Sequence, residues 1–271
     1  VQIGESPPLD FILDSGANAT AINDVYLANS LNLHYVSSGQ ARGVGLDRVP
    51  VLVAPDVALR SGGQVLFRTD LVIHHVQPML EEHAGRSIHG LLGADLFEAW
   101  VVELDPVLRR MVLHDPETFA YRGGGVTMRL DVKNRWPLLD ARITTAQGKR
   151  VRSRLLLDTG SPATLVVIEG SHRRLRLPEE RRVTEVVGVG GVSEAHMALV
   201  PRLDLGEVVL EDLQAAYIHR AAIPASRALG KLHGVLGTGF LREFHVFIDM
   251  PHRRLVLEPL QLTDEGRTAA P

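Results

Sequence analysis

Phe11-Ile12-Leu13-Asp14-Ser15-Gly16 and Leu155-Leu156-Leu157-Asp158-Thr159-Gly160 are one phrase written twice, 144 positions apart. Each is a short apolar run, of the kind that forms a buried strand, ending in an acid, a hydroxyl residue and a glycine. A single Asp-Ser/Thr-Gly is ordinary turn chemistry. Two copies in matching apolar contexts imply a duplicated unit, and duplication can set two carboxylates face to face across a pseudo-twofold axis.

The repeat extends well past the tripeptide. Ala17-Asn18-Ala19-Thr20-Ala21-Ile22 and Ser161-Pro162-Ala163-Thr164-Leu165-Val166 follow in register, and Ile88-His89-Gly90-Leu91-Leu92-Gly93 matches Leu232-His233-Gly234-Val235-Leu236-Gly237 at the same offset. Asp105, Arg109-Arg110 and Val112-Leu113 then match Asp249, Arg253-Arg254 and Val256-Leu257. Gly43 and Gly45 find counterparts in Gly188 and Gly190 after a one-residue slip. Self-similarity on this scale decides architecture before any local signal does. It predicts two lobes built on one plan.

Bulk properties agree. A chain of 271 residues is long enough for two domains. With 45% apolar and 23% charged residues it can bury sizeable cores. A net charge of −3 gives no reason to expect nucleic acid or an acidic membrane surface as partner. No apolar run approaches a membrane span. The absence of cysteine excludes disulfides, thiolate metal sites and a cysteine nucleophile, and leaves the compartment open.

Short valine- and leucine-rich runs with Gly, Pro, Asp and Ser between them favour strands: 10–13, 49–53, 65–67, 71–73, 101–104 and 111–113 in the first lobe. The second lobe has 126–130, 155–157, 183–187, 199–203, 208–210, 244–248 and 255–257. Helical signal is confined to 23–29 and 94–100. The reading is an all-β, bilobal protein with a lobe over 1–122, a second over 126–262 and a polar tail at 263–271. Three glycines at 123–125 predict a flexible seam between them. The second lobe also has a leading segment, 126–142, that the first does not match, so the first lobe is expected to lack an opening strand that a full gene product would carry.

If Asp14 and Asp158 meet, two carboxylates about 3 Å apart cannot both ionise, so they share one proton and titrate as a unit. The ionised member can deprotonate a water held between them, and the protonated member can hydrogen-bond a substrate carbonyl. That suffices for amide hydrolysis without metal, cofactor or covalent intermediate. Gly16 and Gly160 let the backbone turn tightly beside the acids. The hydroxyls of Ser15 and Thr159 can bond across the lobe interface.

The paired Asp-Ser/Thr-Gly motifs, each followed by an apolar-apolar-Gly segment, resemble the aspartic peptidases of the pepsin and retropepsin type, and most nearly bacterial retropepsin-like proteins with two fused copies. The resemblance runs from Val1 to about Leu260. It implies an acid-protease fold of two barrel-like lobes, a catalytic dyad of Asp14 and Asp158, and strands at Leu91-Leu92-Gly93 and Val235-Leu236-Gly237 threading behind the motif loops. It places flap tips at Gly43-Val44-Gly45 and Gly188-Val189-Gly190-Gly191. It further implies an endopeptidase acting as a monomer on extended polypeptide, exported from a bacterial cell. The first motif continues with Ala17, as in retroviral-type enzymes, and the second with Ser161, as in pepsin-type ones. The Ser161 hydroxyl is therefore expected to bond Asp158 and keep its pKa the lower of the two. Neither flap carries a tyrosine, so a pepsin-like flap mechanism is not assumed.

Other features have plainer readings. The same fold could serve as a catalytically silent peptide-binding module, but both acids, both hydroxyl residues and both glycines are intact. His74 and His75 point to opposite faces of a strand and do not converge with His83 on a metal. His89 and His233 are repeat-related and expected to hydrogen-bond within each lobe. The mixed-charge stretch 172–182 reads as a solvated face. Trp100 and Trp136 read as core or interface aromatics.

Overall fold

The computed structural model describes residues 1–41, 49–74, 85–188, 191–223 and 231–260. Strands dominate and assemble into three sheets. The first seven are β1 (Gln2–Ile3), β2 (Phe11–Leu13), β3 (Ala21–Ile22), β4 (Val36–Ala41), β5 (Val49–Ser61), β6 (Gln64–Ile73) and β7 (Gly90–Leu92). They form one sheet in the order β1-β5-β6-β3-β7-β2, with β4 on β5.

The next two strands are β8 (Val101–Asp105) and β9 (Arg110–His114), followed by β10 (Val126–Arg129). An eight-stranded sheet is then built from β11 (Asp131–Lys133), β12 (Trp136–Thr144), β13 (Arg150–Leu157), β14 (Leu165–Glu169), β15 (Arg182–Gly188), β16 (Gly191–Leu205), β17 (Val208–His219) and β18 (Gly234–Leu236). A β12–β16 pairing curls it on itself. The last strands are β19 (Phe244–Asp249) and β20 (Arg254–Pro259).

The repeat is visible in the pairing register. In the first lobe β2 runs parallel to β7, with Phe11, Ile12 and Leu13 opposite Gly90, Leu91 and Leu92. In the second, β13 runs parallel to β18, with Leu155, Leu156 and Leu157 opposite Gly234, Val235 and Leu236. Each strand that carries an acidic motif is thus flanked by the apolar-apolar-Gly strand of its own lobe. The third sheet joins the lobes, in the order β10-β20-β19-β8-β9. At its centre the repeat-related β8 and β19 pair antiparallel, Glu103 opposite Phe247. One apolar core continues through all three sheets, from Ile22, Leu59, Leu71 and Phe97 to Leu155, Leu203, Phe240 and Ile248.

Alternation explains the individual strands. In β13 Arg150 and Arg152 are exposed while Val151, Ser153 and Leu155 are buried, the period of two that a one-faced strand requires. The separate runs at 65–67 and 71–73 are a single strand, β6, because Arg68, Thr69 and Asp70 continue the ladder, Arg68 and Asp70 exposed and Thr69 half-buried on the face of Phe67 and Leu71. Helices are short: α1 (Val25–Ser30), capped by the Asp24 carboxylate on the Tyr26 N–H, α2 (Ala94–Ala99) and α3 (Thr238–Leu241). The last is the repeat counterpart of α2, and its single turn is too brief to leave a periodic pattern.

The seam at 121–125 departs from the flexible linker expected of it. The Gly125 N–H donates to the Tyr121 hydroxyl at 2.7 Å, that hydroxyl donates to the Glu258 carboxylate, and the Tyr121 ring packs on Phe247. The glycines serve close approach there, because Cβ atoms at 123 and 125 would strike Tyr121 and Glu258. Among the described residues β10 and β11 have no counterpart in the first lobe, and β1 is a two-residue strand where β12 has nine. The tail at 263–271 lies outside the described residues. No helix among those described is long and apolar enough to cross a membrane.

The strands behind the motifs leave no room for a side chain at their first residue. A Cβ on Gly90 would lie 2.2 Å from the Ala21 carbonyl oxygen, and one on Gly234 2.3 Å from that of Val166. Gly234→Ala is expected to cost about 1–3 kcal/mol as the ladder shifts to admit a methyl group, read as a lower denaturation midpoint. Gly148→Ala is the comparison: its φ of 69° strains a methyl group, but in open space.

Candidate active site

Leu13 and Leu157 end their strands where Asp14 and Asp158 begin tight turns, and the two turns meet. The contact is a crossed set of four hydrogen bonds. The Ser15 N–H donates to Thr159 Oγ1 at 2.9 Å, and that hydroxyl donates to the Leu13 carbonyl at 2.7 Å. Reciprocally, the Thr159 N–H donates to Ser15 Oγ at 3.0 Å, and that hydroxyl donates to the Leu157 carbonyl at 2.8 Å. Both hydroxyls are buried, so every one of these groups needs its partner.

This contact brings the carboxyls of Asp14 and Asp158 within hydrogen-bonding reach of each other. Each is backed by the other lobe's glycine. A Cβ on Gly16 would lie 2.5 Å from Asp158 Cγ, and one on Gly160 2.6 Å from Asp14 Cγ. No other residue fits at either place. Backbone donors face the acids, Ala17 N–H to Asp14 Oδ1 at 2.9 Å and Gly160 N–H to Asp158 Oδ1 at 2.9 Å.

The two acids are not equivalent. Burial, the Asp158 charge and a hydrogen bond with Asp158 all push the Asp14 carboxyl well above the ordinary carboxylate range. Burial raises Asp158 as well, but the hydrogen bond with Asp14 and the N–H groups of Gly160, Ser161 and Gly16 oppose it. Both carboxyls are thus pushed upward, Asp14 well above its ordinary value, as befits two buried acids in contact that share one proton. The arrangement supplies an acid and a base side by side at one pH.

The expected contact of Ser161 with Asp158 takes a different form. Ser161 acts on Asp158 through its backbone N–H. The Ser161 carbonyl accepts from the Thr238 N–H at 2.8 Å and the Thr238 hydroxyl at 2.9 Å, which seats the loop on α3. Its side chain makes no bond to Asp158.

The flap candidates are only partly within view. Gly43, Val44 and Gly45 lie outside the described residues, as do Val189 and Gly190. Gly188 ends β15 and pairs with Gly191, so β15 and β16 form one long hairpin at that point. Of the histidines, His74 is buried, while His75 and His83 lie outside the described residues. The Nδ1 atoms of His89 and His233 accept from the backbone N–H groups of Asp10 and Arg154 at 3.0 and 2.9 Å, holding each motif strand to the loop before its neighbour.

Two residues at the lobe contact carry more than their sequence signal. The indole N–H of Trp136 donates to the Gly16 carbonyl at 2.7 Å, and Arg135 reaches Asn18, Asp95 and Glu98 of the first lobe. Trp136 reads from sequence as a core or interface aromatic, and it is the latter. Nothing in the periodicity around Arg135 marks it.

Because the crossed hydrogen bonds satisfy buried groups in both lobes, Thr159→Ala strands the Ser15 N–H and the Leu13 carbonyl. The expected loss is about 2–5 kcal/mol of unfolding free energy. Thr159→Ser keeps the hydroxyl and should recover most of it in the same denaturant titration.

None of the curated proteins compared with this chain is significantly similar to it. The aspartyl protease family model, however, matches it in two segments, residues 1–96 and 140–240, one in each lobe and each containing one acidic motif. With a match over well more than half its length and two copies of the unit in one polypeptide, the chain belongs to the aspartyl protease family.

Proposed function

We propose that this protein is an aspartic endopeptidase in which Asp14 and Asp158 hydrolyse peptide bonds of an extended polypeptide through an activated water. The observation that carries this reading is the meeting of the two motif loops: crossed hydrogen bonds lock them together, each buried carboxyl lies against the other lobe's glycine, and burial pushes both carboxyls upward. Asp158 takes a proton from the water as its oxygen attacks the scissile carbonyl carbon, while Asp14 gives its proton to the carbonyl oxygen. The tetrahedral diol then collapses. A hydroxyl proton returns to Asp14, the amide nitrogen receives the proton held by Asp158, and the C–N bond breaks. Protons balance over the cycle, and the dyad ends as it began.

One chain supplies both acids, so the active unit is a monomer. The segments Gly43-Val44-Gly45 and Gly188-Val189-Gly190, the flap candidates of the sequence, are proposed to cover the substrate.

The test is cleavage of an unfolded protein across acid to neutral pH. Asp14→Asn and Asp158→Asn should each lower kcat/KM on the order of 10²–10⁴-fold or more. The wild-type profile should be a bell, its acid limb set by Asp158 and its alkaline limb by Asp14. Peptide binding without cleavage at any pH would support a silent binding module instead.

Linkage gives an independent check. A carboxyl raised on folding binds its proton more tightly in the folded state. Its stabilising contribution is full below the unfolded pKa and is lost as pH rises through the folded one. Asp14→Asn removes that pH-dependent penalty. It should unfold at higher denaturant than wild type at neutral pH, with the gap closing toward acid.

A further inference from the structure

The two motif loops are tethered differently from behind. In the second lobe the loop after Asp158 is held by its own lobe, through the two bonds from Thr238 to the Ser161 carbonyl. In the first lobe the corresponding local bond is present, Ala94 N–H to the Ala17 carbonyl at 2.9 Å. Two further tethers come from the opposite lobe. Trp136 Nε1 donates to the Gly16 carbonyl at 2.7 Å, and Arg135 Nη1 donates to the Asn18 carbonyl at 2.9 Å. Among the described residues the Gly160 carbonyl has no such donor, because the first lobe has no counterpart of the β11–β12 hairpin that delivers it.

That hairpin is built for reach. Lys133 pairs with Trp136, leaving Asn134 and Arg135 as a two-residue turn, both left-handed with φ of 51° and 69°. Such a turn suits Asn far better than Arg. Arg135 adopts it while its guanidinium is fully engaged, with Asp95 Oδ1 at 2.5 Å, both Glu98 carboxylate oxygens at 2.7–3.1 Å and the Asn18 carbonyl. Asp95 in turn accepts the Thr20 N–H at 2.6 Å. One residue of the second lobe thus holds the far end of the loop that carries Asp14, directly at Asn18 and through Asp95 at Thr20, and presents Trp136 to Gly16.

The Gly16 carbonyl belongs to the same peptide group as the Ala17 N–H, which donates to Asp14 Oδ1 at 2.9 Å and shares itself with the Asp14 carbonyl at 3.1 Å. A donor on one side of a peptide group strengthens the donor on the other. Resting on the reading of Asp14 and Asp158 as a working dyad, we propose that Trp136 is a positioning residue for Asp14, acting through the Gly16–Ala17 peptide, with Arg135 anchoring the turn that presents it. Asp158 is the charged group that faces Asp14 directly; Asp95, Glu98 and Arg135 stand behind its loop. Trp136 adds a hydrogen bond to one acid of a nearly symmetric pair.

The sign follows. Losing the indole N–H weakens the Ala17 donor, destabilises ionised Asp14 and makes it hold its proton to higher pH. Trp136→Phe keeps an aromatic ring and removes the donor. It should move the alkaline limb of the kcat/KM profile upward by roughly half a pH unit and leave the acid limb in place. Trp100→Phe, which loses an indole bond to the Leu66 carbonyl away from the dyad, should move neither limb. Should Trp136→Phe fail to fold, Arg135→Lys carries the test, since it keeps the charge, loses the fork and should shift the limb in the same direction.

Carboxyl NMR titration of Asp14 in the same proteins separates the two claims. A wild type that cleaves, with neither the limb nor the Asp14 titration moving in Trp136→Phe, overturns the positioning role and leaves the peptidase reading standing. A wild type that does not cleave, with an Asp14 titration that moves, sinks the peptidase reading and upholds the positioning role.

Discussion

The crossed hydrogen bonds between Ser15 and Thr159 are the constraint on which the remainder of the molecule depends. Each hydroxyl reaches into the opposite lobe, accepts one backbone N–H and donates to one carbonyl. Only a pair of loops related by the repeat can satisfy both at once. The demand fixes the distance between the loops, and the adjacent acids inherit it. Gly16 and Gly160 complete the fit, because the space a side chain would need is filled by the opposite carboxyl. The two carboxyls face each other because the neighbouring groups leave them no alternative.

Two acids in contact share one proton whether or not they are equivalent, so near-symmetry leaves the choice of its holder to their surroundings. The chain resolves it with small differences laid on a common frame. Asp95 stands where the second lobe has Gly239, so the first loop is capped by a carboxylate that the second lacks. Burial would raise Asp95, but Arg135 and Thr20 outweigh it and hold it ionised. Trp136 and Arg135 contact one loop only. The lobe-joining sheet keeps these differences rigid, since β8 and β19 are part of one continuous core.

Much of this was legible in the sequence, and the boundary of legibility has physical causes. The strand phrases ending in Asp14 and Asp158, and the segments Gly90–Leu92 and Gly234–Leu236 beside them, repeat at a fixed offset, so one duplicated plan brings the acids together. Contacts made once, without a repeat partner, left no such trace. Arg135 acts through a turn joining two strands of the second lobe, and its partners Asn18, Asp95 and Glu98 lie far away in the chain. The seam glycines signalled looseness by composition, yet they serve close packing against Tyr121 and Glu258. The sequence signal of Ser161 is its hydroxyl, the group that distinguishes it from Ala17, whereas the backbone N–H that any residue has is what acts on Asp158. The long strands β16 and β17 read as the shorter runs 199–203 and 208–210 because polar and small residues, among them Ser193, Glu194, Glu211, Asp212 and Gln214, interrupt their apolar pattern.

The central claim is that two halves of one chain hold a single proton between Asp14 and Asp158. Neutron diffraction from a deuterated crystal, grown at a pH between the two limbs of the activity profile, would observe that proton directly. The account predicts one deuteron at the dyad, on the Asp14 carboxyl and directed toward Asp158. Two bare carboxylates, a deuteron on each, or carboxyls turned away from one another would contradict it.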